Sequence, residues 1–83
     1  TVKDLSFEVY PNPGQNVIQV KVSDNKDRLI LEVLDMSGHM LARKSVDTNS
    51  DIETIDMTAY GKGFFIIKLI GPSYIASQRI IIQ

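Results

Sequence analysis

Few side chains of this 83-residue chain could take part in covalent chemistry. His39 is the one histidine, and the chain has no cysteine. A serine-based triad needs a serine held against a histidine, and neither Ser37 nor another serine stands in the pattern of a nucleophile turn. One histidine without cysteine also lacks the usual ligands of a zinc site. We therefore predict no catalytic residue, no metal ligand and no cofactor, and we expect that the chain is not an enzyme.

The polar segment Asp47-Thr48-Asn49-Ser50-Asp51 begins like a calcium-binding loop. Such a loop spaces oxygen ligands at every second residue, continues with a glycine and ends in an acid that binds through both oxygens. Here Ile52 stands at the glycine position and Thr58 at the position of the acid. The segment is therefore not an EF-hand, and weak calcium binding is left open as an alternative.

Composition indicates one folded domain over residues 1–83. Hydrophobic residues make up 43% and charged residues 23%, which is typical of a globular chain. The net charge of −1 and the scattered basic residues indicate no nucleic-acid partner. No apolar run approaches the ~20 residues that span a bilayer, so membrane insertion is not expected. Because the chain opens on Thr1, we interpret it as a piece of a longer precursor, in which residues 1–8 could hold a linker remnant and the first strand.

Alternation of apolar and polar residues predicts strands throughout the chain. Phe7 and Val9 alternate with polar neighbours, and so do Ile18, Val20 and Val22. The remaining predicted elements are the strands Arg28–Leu34, Met40–Val46, Ile52–Met57, Gly63–Ile70 and Ile75–Gln83, with a compact turn at Thr58–Lys62. Seven short strands separated by turns predict an all-β fold, a seven-stranded antiparallel immunoglobulin-like β-sandwich.

Four motifs follow one another in a fixed order. Two prolines that flank Asn12 remove backbone donors and stop a strand. Asp35 can accept bonds from the backbone ahead of it, and Gly38 can take a positive φ. The four motifs are Tyr10-Pro11-Asn12-Pro13, Asp35-Met36-Ser37-Gly38, Ile55-Asp56-Met57-Thr58 with Gly63-Phe64-Phe65, and Arg79-Ile80-Ile81-Ile82.

In this order, the motifs resemble the type A C-terminal sorting domain of proteins that Bacteroidetes bacteria export by the type IX secretion system. The resemblance covers residues 9–83. The chain departs from the family pattern at three positions. Met57 stands for the usual leucine, Phe65 for tyrosine and Arg79 for lysine. Phe65 keeps a buried ring without the hydroxyl, and Arg79 keeps the charge.

The resemblance implies a sorting signal for a larger cargo protein, to which the domain is covalently joined. The implied partners are the outer-membrane translocon and a sortase-like peptidase. The implied route runs through the periplasm to the cell surface or the extracellular space, where the domain is cleaved or the cargo is anchored.

The last five residues are our prediction for translocon recognition. Alternation places Ile80 and Ile82 on one face of the last strand and Ile81 on the other, beside Arg79. A strand at a sheet edge with apolar residues on both faces can pair with a partner strand. In the alternative, the segment is a core strand whose Ile81 is covered by a loop. The predicted recognition residues are Arg79, Ile80, Ile81, Ile82 and Gln83, and those with a structural role are Tyr10, Pro11, Asn12, Pro13, Asp35, Gly38, Asp56, Gly63 and Phe65.

Two other functions fit a small β-sandwich. One is a carbohydrate-binding or adhesion module of a cell-surface protein, which would display aromatic side chains on an exposed platform. The candidates for such a platform are Tyr60, Phe64 and Tyr74, which are spread over a turn and two strands. The other is a structural spacer between further domains.

Overall fold

The computed structural model describes residues 7–10, 16–22, 28–46, 52–72 and 75–83. The predicted sites at Pro11, Asn12, Pro13, Tyr74 and residues 47–51 lie outside the described residues. Within them the chain forms seven strands and one short 3-10 helix. The strands are β1 (Phe7–Tyr10), β2 (Val17–Val22), β3 (Leu29–Asp35), β4 (Met40–Val46), β5 (Ile52–Asp56), β6 (Gly63–Ile70) and β7 (Ile75–Ile82), and the helix is Thr58–Tyr60.

The strands form two antiparallel sheets. The first sheet has the order β1-β2-β5, and the second has the order β4-β3-β6-β7. Strands β1, β2, β3, β6 and β7 turn alternate side chains inward, and these meet in a single core with Val46 of β4, while Ile55 of β5 packs against it half-buried. Burial of each such Val, Leu, Ile or Phe side chain contributes ~1.5–3 kcal/mol. The predicted all-β antiparallel sandwich is confirmed.

A bulge interrupts the pairing of β3 with β4. Val33 pairs with Ala42, whereas Leu34 pairs with Met40, so Leu41 is the extra residue. Leu41 packs against the core, and its carbonyl accepts the Tyr60 hydroxyl at 3.5 Å. A bulge bends its strand and strengthens the local twist. Leu41 thus links β4, an edge strand of the second sheet, to the 3-10 helix that follows the last strand of the first sheet.

The crossing from the first sheet to the second begins one residue earlier than the sequence predicted. The fifth strand ends at Asp56, not at Met57, and Met57 is completely buried. Its N–H donates to the carbonyl of Asn16 at 2.6 Å, and its own carbonyl accepts the N–H of Tyr60 at 3.0 Å. The predicted compact turn is the 3-10 helix, which the buried side chain of Met57 ties to the core.

The sheets part on the side where β4 and β5 form their edges. A cleft of about 160 Å³ opens there, with Leu31, Val33 and Ile55 in its apolar wall. Lys44 Nζ lies 2.9 Å from Glu53 Oε2, so one ion pair links the two edges. Glu53 lies on the inward face of β5, and Lys44 gives its carboxylate a partner there.

Candidate functional site

The last strand of the fold lies at the edge of the second sheet. In the described part of the chain β7 pairs with β6 alone. The register places Phe64 opposite Ile81 and Phe65 opposite Ile80. Strand β6 is therefore the support that sets the position of every side chain on β7.

Alternation divides the predicted recognition residues between the core and the surface. Ile80 and Ile82 are 2% and 4% exposed and belong to the core. Arg79 and Gln83 are exposed, and Ile81 is half-buried on the opposite face. The structure therefore does not bring all five residues to one surface, and a partner can reach the side chains of Arg79, Ile81 and Gln83.

Phe64 also lies on this surface, although the sequence suggested it only as part of an aromatic platform for binding a carbohydrate. The guanidinium carbon of Arg79 lies 5.5 Å from the centroid of the Phe64 ring, within the range of a cation–π interaction. The ring is 50% exposed and lies across the strand pair from Ile81. We call Phe64, Arg79 and Ile81 the terminal cluster. The signal that could have found Phe64 was the hairpin register, which pairs the start of β6 with the end of β7.

The terminal cluster is part of a largely apolar sheet surface. Strands β3, β6 and β7 turn alternate residues away from the core, and most of these are also hydrophobic. We call this surface the outer face of the second sheet. Besides the terminal cluster it carries Ile30, Glu32, Leu34, Ile66, Lys68, Ile70, Ile75 and Ser77, and on β4 Arg43 and Ser45.

The turn after β3 is organised by one carboxylate. Asp35 Oδ1 accepts the N–H groups of Ser37 and His39, both at 2.9 Å, and Oδ2 lies 3.3 Å from His39 Nδ1. The N–H of His39 is the largest cause that holds the pKa of Asp35 below its usual range. Gly38 has a φ of +90°, which a side chain would strain. Asp35 and Gly38 together shape the hairpin between β3 and β4.

The chemistry-bearing residues of this turn do not form a triad. Ser37 contributes its backbone N–H to Asp35, and the largely exposed His39 ring also faces Asp35, while within residues 28–46 no hydrogen bond joins the Ser37 hydroxyl to the ring. Among the described residues no three His, Cys, Asp or Glu side chains lie close enough to hold a metal ion. No helix in the described part of the chain has the length and apolar character to cross a membrane.

Comparison with known proteins identifies the family. The family model of the secretion system C-terminal sorting domain matches residues 8–83. The chain belongs to this family. It is thus a sorting domain of the type IX secretion system, a family that implies interaction with the secretion machinery as part of a larger cargo protein. Such a sorting tail implies export to the cell surface or the extracellular space.

A solved structure supports the architecture of the sorting domain. It is a protein of the DUF3244 family from Bacteroides vulgatus, described as an immunoglobulin-like β-sandwich, with a TM-score of 0.74, 15% identity and 98% of each chain covered. This likeness shows the fold, so the predicted immunoglobulin-like sandwich is confirmed. No curated protein sequence matches the chain.

Most other motif residues of the sorting domain lie in turns or in the core. Asp56 Oδ1 accepts the N–H of Thr58 at 2.9 Å, and the hydroxyl and N–H of Thr58 lower the pKa of Asp56. Gly63 begins β6 with a φ of +131°, and Phe65 lies in the core. Tyr10 is exposed at the end of β1. Asp56, Gly63 and Phe65 thus shape the turn before β6 and anchor the strand that supports the terminal cluster, whereas a structural role of Tyr10 stays a prediction.

The aromatic platform of a sugar-binding module has little support. Tyr60 is half-buried against the core with its hydroxyl turned to the carbonyl of Leu41, and Phe64 lies under Arg79. The two rings lie on different elements, the 3-10 helix and β6. The family match does not favour this alternative.

Proposed function

We propose that the sorting domain directs its cargo through the type IX outer-membrane translocon by presenting the outward side of β7. The recognition surface is the terminal cluster together with Gln83. The proposal includes passage through the periplasm and later removal of the domain by a sortase-like peptidase or anchoring of the cargo at the surface. The domain acts by binding and carries out no catalysis.

One observation carries this proposal: an exposed cation, an aromatic ring and an aliphatic side chain adjoin one another on a sheet edge. Arg79 stacks on Phe64, and Ile81 lies across from the same ring. A partner strand could pair with such an edge while its side chains contact the ring and the isoleucine. A planar guanidinium also offers fixed donors to a carboxylate of the partner.

The burial pattern determines how the proposal is to be tested. Deletion of residues 80–83 would remove two core side chains, so it would damage folding along with any recognition. Substitutions of the outward residues avoid this confusion. Arg79→Glu reverses the exposed charge, and Ile81→Lys places a charge on the outer face without disturbing the core.

The experiment fuses residues 1–83 to a periplasmic reporter in a bacterium with an active type IX system. We expect the wild-type fusion outside the cell, and the Arg79→Glu and Ile81→Lys fusions retained in the periplasm. Lys21→Glu and Ile52→Lys are matched controls on the outer face of the first sheet, and we expect these fusions to be exported. Thermal unfolding of each purified domain verifies that it is folded. Normal export of the folded Arg79→Glu and Ile81→Lys domains would overturn the proposed recognition surface.

A further inference from the structure

A row of charged residues crosses the middle of the outer face of the second sheet. The register aligns Arg43 of β4, Glu32 of β3 and Lys68 of β6. Arg43 Nε lies 3.9 Å from Glu32 Oε2, whose side chain is 14% exposed. Lys68 is half-buried and forms no ion pair with another residue that the structure describes. The row therefore carries a positive, a negative and a positive charge in turn. The second positive charge, that of Lys68, is available to a carboxylate.

Hydrophobic side chains border this row on both sides. Toward the terminal cluster lie Leu34 and Ile66, which pair with each other across β3 and β6. Toward the opposite end lie Ile30 and Ile70, which pair in the same way. All four are half-buried in the single domain. A contiguous exposed apolar surface marks a site of interaction, and charges within it set which partner fits.

The charged row and its apolar borders are complementary to those of a second copy in one relative orientation of the two domains. A two-fold axis that runs parallel to the strands, between β3 and β6, exchanges these two strands when two copies pack face to face. Glu32 then meets Lys68 of the second copy and Lys68 meets Glu32 of the second copy, while Leu34 meets Ile66. A two-fold axis across the strands would instead set Glu32 against Glu32, which costs free energy. An isologous contact of the first kind satisfies both the charges and the apolar rows.

We propose that the domain binds a second copy of itself through the outer faces of the two second sheets, with Glu32 and Lys68 forming reciprocal ion pairs. Aligned packing of the two twisted sheets at about 30° suits an axis along the strands. Four strands ~4.8 Å apart and about seven residues long at ~3.4 Å each give a flat area of about 450 Å². This area lies below the ~600 Å² per partner of the smallest stable interfaces, so we expect a weak dimer that forms at high protein concentration.

The test uses the 83-residue chain in solution. Sedimentation equilibrium from low micromolar to millimolar concentration should show the wild-type chain associating to a dimer. Glu32→Lys and Lys68→Glu each set like charges against each other in a homodimer, so each should weaken association by about tenfold or more. Lys21→Glu makes the same charge change on the first sheet and should leave association unchanged.

Mixing the two variants gives the decisive measurement. In a pair made of one Glu32→Lys chain and one Lys68→Glu chain, both cross-copy contacts are again between opposite charges. We therefore expect the equimolar mixture to associate with nearly wild-type affinity. A merely structural role of Glu32 or Lys68 predicts no recovery, because each chain keeps its own substitution. Circular dichroism must show that both variants are folded. The double variant Glu32→Lys/Lys68→Glu restores both cross-copy contacts but loses the ion pair with Arg43, and it should dimerise more strongly than either single variant.

Two results would overturn the proposal: a wild-type chain that stays monomeric over the whole concentration range, or folded single variants whose mixture fails to associate. Because the terminal cluster lies on the same face, a domain in this dimer would not present it to the translocon, so the dimer is a state of the domain apart from the translocon. The test itself does not depend on the export function. Glu32→Lys and Lys68→Glu leave the terminal cluster intact, and self-association is measured without any translocon.

Discussion

The two sheets turn very different surfaces away from the core they share. On the first sheet the outward residues of β1, β2 and β5 are mainly polar or charged, among them Glu8, Gln19 and Lys21. On the second sheet isoleucine, leucine and phenylalanine dominate, broken by one charged row. An antiparallel sheet that faces water on one side normally alternates apolar and polar residues. The first sheet follows this rule and the second sheet departs from it, and this departure is the reason for proposing that the second sheet binds partners.

The largest expected effect separates the two sides of β7. Ile80→Ala should lower the free energy of unfolding by ~2–4 kcal/mol, because it opens a cavity in the core. Ile81→Ala should cost under about 1 kcal/mol, because the side chain lies half-exposed on the outer face. Urea unfolding of the two variants checks both values. Equal losses of unfolding free energy in the two variants would mean that Ile81 is packed as tightly as a core residue. That result would contradict the contrast between the two sheets.

A smaller effect concerns the terminal cluster itself. A double-mutant cycle with Arg79→Ala and Phe64→Leu should give a coupling energy of ~0.5–1 kcal/mol, as expected of an exposed cation–π pair. The same cycle with Glu8→Ala and Lys21→Ala, which pair across β1 and β2, gives the reference value for the first sheet. We expect ~0.2–1 kcal/mol there, falling with added salt, as for opposite charges on directly opposite residues of two antiparallel strands. Coupling between Arg79 and Phe64 that vanishes in salt would show simple charge effects instead of ring stacking.

The smallest expected effect is acid sensitivity, and both sheets should share it. Each sheet has one aspartate at a strand end, Asp56 in the first and Asp35 in the second, and the pKa of each is lowered in the fold. Stability from a lowered pKa is fully present above the unfolded value of 3.8 and is lost as pH falls through the folded value.

Asp35→Asn and Asp56→Asn should therefore each flatten the dependence of the unfolding midpoint on pH below about 4. Thermal unfolding at a series of pH values measures this slope. A slope unchanged by both substitutions would contradict the assignment of acid sensitivity to these two turns.

The alternation of apolar residues was enough to predict the strands, since a period of two is a local property. Strands β4 and β6 begin and end at the residues expected from the sequence. The order of strands and the bulge at Leu41 could not be predicted in this way, because they depend on contacts between distant segments. Glu53 is a further example, since Lys44 approaches its inward carboxylate from the other sheet.

The candidate site was predictable in part for the same reason. Alternation along β7 indicated that Ile81 and Arg79 share a face, which the structure shows. Alternation alone did not place Arg79 over Phe64, because that contact depends on the register of the hairpin formed by β6 and β7. The sequence predicts all five terminal residues as recognition residues, and in the structure Ile80 and Ile82 lie in the core while Arg79, Ile81 and Gln83 reach the surface.

The shared use of β7 has a consequence for quality control. Since Ile80 and Ile82 lock the strand into the interior, Arg79 and Ile81 reach their places only after the sandwich has closed. A translocon that binds the terminal cluster would therefore select sorting domains that have folded. A domain that has not yet folded would lack the surface it recognises.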